Sequence, residues 1–160
     1  MKIRFATPLD VPVITQLIRE LAHYERSAFE AVATDEDVAA ALFGDAPHVF
    51  CHVAELDDEI VGFAVWFLNF STWLGSSGVY LEDLFVRESA RGRGVGTALM
   101  TELANICVER GYTRFQWWVL DWNEPSIEFY KSISAVAMNE WTTFRLSGDA
   151  LNDFATKSTH

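Results

Sequence analysis

The chain has 160 residues, half of them hydrophobic, which is enough for one well-filled core without disulfides or metals. Its 12 basic and 23 acidic residues give a net charge of -11, which repels a nucleic-acid backbone and favours cationic small molecules, besides aiding solubility. No apolar run nears the roughly 18 residues of a membrane helix, and Met1-Lys2-Ile3-Arg4-Phe5 alternates charge with apolar groups where a signal peptide would not.

The expectation is therefore one cytoplasmic domain over 1–160, with neither nucleic acid nor membrane as partner. The two cysteines, Cys51 and Cys107, lie in no metal-ligand spacing and read as buried thiols. The four histidines show no ligand spacing either, so no metal is expected.

In chain order, Lys2 to Ala6 predicts a strand, and Val11 to Tyr24 a helix capped by Asp10, with Pro12 tolerated in its first turn. Val13, Ile14, Leu17, Ile18 and Leu21 form its apolar face. Thr34-Asp35-Glu36-Asp37 resembles a capping box and opens a shorter helix ending at Gly44. Strands Val49 to Glu55 and Ile60 to Phe70 flank Asp57-Asp58-Glu59, the pattern of a hairpin. The loop from Phe70 to Gly78 holds Trp73, read as part of a pocket wall with cation–π capacity. Trp66, Phe67, Phe70, Trp117 and Trp118 read mostly as core.

A strand from Val79 to Val86 runs into a glycine-rich turn and then a helix to about Arg110, whose Leu99, Leu103 and Ile106 share a face and which Gly111 ends. Thr113 to Leu120 predicts a strand, Asn123-Glu124-Pro125-Ser126 opens a short helix to about Ser132, and Val136 to Asn139 and Thr142 to Leu146 predict two final strands. This order describes an α/β protein, a three-layer α/β/α sandwich around a mixed, mostly antiparallel sheet.

A glycine turn between a strand and a helix aims backbone N–H groups and the positive end of the helix dipole at one spot. Arg87, Arg91 and Arg93 crowd the same place in an otherwise acidic chain. A dinucleotide fingerprint fails here, because Thr97 stands where a glycine is needed and Phe115-Gln116-Trp117-Trp118-Val119 supplies no acid. A triphosphate P-loop fails too, since no lysine follows Gly96. The remaining common use of the arrangement is the pyrophosphate of coenzyme A.

Leu81-Glu82-Asp83-Leu84-Phe85-Val86 followed by Arg91-Gly92-Arg93-Gly94-Val95-Gly96 resembles the central motif of the GNAT superfamily of N-acetyltransferases, L-x-D/E-x-x-V and R/Q-x-x-G-x-G/A. Within it, four blocks in order resemble the diamine (spermidine/spermine) and thialysine acetyltransferase branch: 17–25, 61–64, 80–86 and 122–131. The resemblance implies acetyl-CoA as co-substrate, no metal, a small primary amine as acceptor, and a homodimer. It implies that main-chain groups of Leu84, Phe85 and Val86 pair with the pantetheine arm, that Arg91, Gly92, Arg93, Gly94, Val95 and Gly96 hold the pyrophosphate, and that Asn123 and Ser126 contact the cofactor.

By the same resemblance Tyr130 is the general acid that protonates the departing thiolate after direct attack of a neutral amine, with a strand N–H stabilising the oxyanion. Tyr24, Glu25 and Glu82 fall along the substrate groove. An ammonium must lose a proton before it attacks, so Glu82 is either the proton outlet or a binder of the cation. The plainer alternatives are a solvated Glu82-Asp83 pair at the strand end and a core role for Tyr130 beside Ile127. Two departures from the branch bear on the acceptor. Ser134 stands where a glycine is usual, and Thr142 stands where an acid helps bind the far end of polyamines, with Glu140 nearby. Acceptors of another kind (a protein amine or an aminoglycoside) and a non-catalytic acyl-CoA sensor remain the alternatives.

Overall fold

The computed structural model of the chain describes residues 1–157. Its contacts divide it into two compact units, Met1–Trp118 and the chain from Val119 onward.

In the first unit, β1 (Lys2–Phe5), β2 (Phe50–Leu56), β3 (Glu59–Ser71), β4 (Ser76–Val86) and β5 (Phe115–Trp117) form one sheet in the order β1-β2-β3-β4-β5. The first three pairings are antiparallel and β4–β5 is parallel, so the sheet is mixed and mostly antiparallel. The β2–β3 hairpin turns on Asp57 and Asp58 alone, with φ of 54° and 66°. Two consecutive left-handed residues match the right-handed twist of the flanking strands.

Helices cover both faces. α1 (Val11–Tyr24) and α2 (Asp35–Phe43) bury Ile14, Leu17, Leu21, Val38 and Leu42 against Cys51, Val53, Phe63 and Phe85 on one side. α3 (Val95–Glu109) lies on the other, where Leu99 and Leu103 are fully buried and Glu102 stands 3.9 Å from His52. His52 has a structural part, for its Nδ1 accepts a 3.0 Å bond from Trp66 Nε1 in the core, and burial pushes the pKa of its imidazole down to about 4. Gly62 of β3 admits β4 at close range, since a Cβ there would meet the Phe85 carbonyl at 2.8 Å.

The helix ends explain where the site residues sit. Thr34 and Asp37 exchange side-chain and backbone bonds as a capping box at the start of α2. Asp10 does not cap α1 as expected. Its carboxylate instead accepts from both terminal nitrogens of Arg4 at 2.7 and 3.0 Å, the main reason its pKa is held down at about 2, and also from the Thr7 amide at 2.7 Å. α1 ends with bonds from Arg26 N to the His23 carbonyl and from Ser27 N to the Ala22 carbonyl, with Arg26 at φ 62°. That closure fixes Tyr24 and Glu25 on the last turn.

The second unit contains α4 (Glu124–Ser132) and α5 (Gly148–Thr156). Several expectations are corrected here. The strand expected over 113–120 contracts to Phe115–Trp117. Neither Val136 to Asn139 nor Thr142 to Leu146 is a strand, and Val136, Met138, Trp141 and Phe144 are exposed, because alternation makes a strand only when a partner strand supplies the ladder. α5 was not anticipated. In the first unit, Trp73 is 90% exposed at the tip of the β3–β4 hairpin, so it walls no pocket. Phe70 and Trp118 are exposed as well.

The missing glycine at Ser134 did not remove its turn. Ser134 takes φ 65°, its N–H donates to the Lys131 carbonyl, and Ala135 N donates to the Tyr130 carbonyl, the same closure that Gly111 gives α3. A serine pays a left-handed penalty that glycine escapes. Ser134→Gly should therefore raise the unfolding free energy by about 1 kcal/mol in a urea titration; an unchanged or lower midpoint would show that the turn is not strained.

Candidate active site

β4 is paired along its length with β3 but with β5 only over Val79–Leu81. The parting begins at a bulge. Val65 faces Asp83 and Trp66 faces Leu81, so Glu82 is an extra residue without a partner on β3. Beyond it the orientation of the backbone can be read from one bond. The Arg87 amide donates to the Val61 carbonyl of β3 at 2.9 Å. The carbonyl of that same planar peptide, on Val86, therefore points away from β3. By alternation the N–H and C=O of Leu84 and Val86 face the edge that β5 leaves open, whereas those of Phe85 face β3. Phe85 instead contributes its ring to the core under α1.

This open edge leads into the glycine turn. Gly92 and Gly94 have φ of 73° and 80°, with nothing within 4 Å of where a Cβ would stand. Gly94 is the N-cap of α3 and offers no capping side chain, so the first amides of the helix stay available to an external anion. The turn thus fits a pyrophosphate by its backbone. The three arginines expected over it are placed otherwise. Arg87 bridges both carboxylate oxygens of Glu20 at 3.1 Å and the Ile60 carbonyl at 3.2 Å. Arg93 approaches Asp57 at 3.5 Å. Arg91 donates from Nε to the Val86 carbonyl at 3.0 Å and lays its guanidinium 4.8 Å from the centre of the Tyr24 ring. An open groove of about 850 Å³, lined by Tyr24, Phe85 and Arg91 among others, adjoins it.

Three acids gather at the bulge. Asp83 pairs with Val65 and so shares the α1 face with Phe85, two residues on. Burial, then the charges of Glu82 and Glu25, push its carboxyl up to about 6. Burial also raises Glu25. Glu82 itself is exposed. Tyr80 is pushed up to about 12 by burial and by Glu82. Sequence reading put the weight on Glu82 and passed over Asp83; the spacing of Asp83 and Phe85 was the available signal.

In the second unit, Asn123 immediately precedes α4, Ser126 lies in its first turn and Tyr130 one turn on. Their spacing puts all three on one stripe of the helix. Thr142 and Glu140 lie in irregular, exposed chain. Among the described residues no group of His, Cys, Asp and Glu is placed to hold a metal, and no helix is long and apolar enough to cross a membrane.

The sequence model of the Acetyltransferase (GNAT) family matches residues 16–134. The chain belongs to the GNAT acetyltransferase family. As a GNAT protein it is an N-acetyltransferase, and its relatives cover it nearly end to end. The thialysine N-epsilon-acetyltransferase of Mus musculus is 33% identical over 96% of this chain and 96% of its own. The L-ornithine N5-acetyltransferase of Arabidopsis thaliana is 33% identical over 94% of this chain and 86% of its own. Among solved structures, an integron cassette protein from the mobile metagenome of V. cholerae superposes with a TM-score of 0.81 at 30% identity, over 96% of both chains.

The carboxyl of Asp83 should titrate near 6 in a carbon-detected NMR titration, and Glu82→Gln should move it back part of the way toward an ordinary aspartate. Titration at the ordinary value in the wild-type protein would mean that Asp83 is more solvated than its position implies.

Proposed function

We propose that this GNAT enzyme transfers the acetyl group of acetyl-CoA to the terminal primary amine of a small cationic acceptor, of the kind its thialysine and ornithine relatives are named for. The observation that carries the reading is the half-open β4, running past three acids into a glycine turn at a helix N-terminus. Acetyl-CoA supplies the activated acyl group as a thioester. The outward N–H and C=O groups of Leu84 and Val86 would pair with the amides of its pantetheine arm as an added strand. The amides of Gly92, Arg93, Gly94, Val95 and Gly96, with the Arg91 guanidinium, would take the pyrophosphate, and Asn123 and Ser126 would touch the cofactor from α4.

The acceptor arrives as an ammonium and must be deprotonated to attack. Glu25, Glu82 and Asp83 supply negative charge to draw it in. Asp83, held near 6, is mostly ionised at neutral pH yet basic enough to accept a proton, with exposed Glu82 as the outlet to solvent. Tyr130 would then donate its phenolic proton to the departing sulfur. A small acceptor is favoured over a protein amine because Asp83 lies on the inner face of β4 beneath α1, largely buried. A homodimer and cytoplasmic residence belong to the same proposal; the first rests on the resemblance and the second on the sequence pattern alone.

The test is release of free coenzyme A from acetyl-CoA with thialysine, ornithine, putrescine, spermidine and spermine. Saturable release with one of them is expected, and Tyr130→Phe should lower turnover about a hundredfold with cofactor affinity retained. Binding of the cofactor without release across the panel would favour a sensor or a macromolecular acceptor; full turnover in Tyr130→Phe would remove Tyr130 from the mechanism.

A further inference from the structure

Arg91 occupies two positions that the reaction needs. Its Nε–H bonds the Val86 carbonyl, one of the outward main-chain groups on the open edge of β4. The same guanidinium lies over the Tyr24 ring at 4.8 Å and, more distantly, over Phe85 at 5.7 Å. Tyr24 stands half-buried on the last turn of α1, next to Glu25, whose charge acts on Asp83. A cation therefore already covers an aromatic face beside Glu25, one of the acids proposed to receive the acceptor's ammonium.

We propose that Arg91 is a latch between the two halves of the site, covering the Val86 carbonyl of the cofactor edge and the face of the Tyr24 ring together until coenzyme A binds. The inference rests on the pairing of the cofactor with β4. A pantetheine amide that takes the Val86 carbonyl competes with Nε, and a phosphate in the glycine turn draws the guanidinium toward the amides at Gly92 to Gly96. The guanidinium is planar and rigid, so both contacts are released together. Leaving the Tyr24 ring, it exposes a π face to the incoming ammonium and removes a positive charge that would repel it. Cofactor binding and acceptor binding then favour each other, and by linkage in both directions.

Such a latch has a consequence that a passive groove residue lacks. Weakening the closed pose from the Tyr24 side should strengthen binding on the cofactor side. Calorimetric titration with coenzyme A itself, without acetyl group or acceptor, reads this directly. Tyr24→Leu, which removes the π face, should tighten the Kd about threefold, the scale of one exposed cation–π contact. Tyr24→Phe, which keeps the face, should leave it at the wild-type value. An unchanged or weaker Kd in Tyr24→Leu, or equal tightening in Tyr24→Phe, would overturn the latch while the cofactor reading stands. Failure of the wild-type protein to bind coenzyme A would instead sink that reading. Should Tyr24→Leu not fold, the wild-type protein still decides the matter by NMR. Coenzyme A must shift both the Arg91 Nε–H and the Tyr24 ring protons, and a Tyr24 ring that does not respond would refute the coupling.

Discussion

A β-strand inside a sheet cannot leave its backbone groups unpaired without cost, and β4 does so from Glu82 to Val86 on the side that β5 abandons. The whole site follows from that one gap. The bulge at Glu82 adds a residue that β3 cannot match, and the ladder with β5 ends one residue before it. What remains is a row of outward donors and acceptors on a strand otherwise locked by Gly62, Phe63 and Ala64 of β3. In the free protein one of these groups, the Val86 carbonyl, is satisfied by Arg91. A ligand with amide groups in an extended arm satisfies the edge as another strand would.

The same bulge arranges the electrostatics. An acidic chain has few ways to bind a phosphate, and this one offers backbone amides at the start of α3 for the proposed pyrophosphate, so that two of the three nearby arginines can serve elsewhere. Carboxylates gather at the other end of the opening, where Glu82 leans to solvent and Asp83 lies under α1. In the proposed reading, anion binding and cation binding fall at opposite ends of five residues of one strand. Acetyl transfer from an anionic carrier to a cationic acceptor asks for that separation.

Much of this was legible in the sequence. The capping box at Thr34 and Asp37, the Asp57-Asp58 turn and the strand-glycine-helix order are local patterns, each with a local physical cause, and they survive into the fold. The features that were not legible depend on neighbours distant in the chain. The bulge at Glu82 exists only against β3, and the raised carboxyl of Asp83 needs α1 above it. Arg87 looked like a phosphate ligand until Glu20, 67 residues away, proved to hold it. Alternation at Val136 to Leu146 suggested strands but carried no information about a partner, and none pairs there among the described residues. Ser134 shows the converse, a turn kept by its hydrogen bonds after the residue that favours it has gone.

The central claim is that the open edge of β4 is where the acyl carrier binds. Amide hydrogen exchange with residue resolution, with and without coenzyme A, tests it most directly. The account predicts that Leu84 and Val86 amides slow markedly on binding while Phe85, already turned to β3, changes little. Saturating coenzyme A with no added protection at Leu84 and Val86 would contradict it.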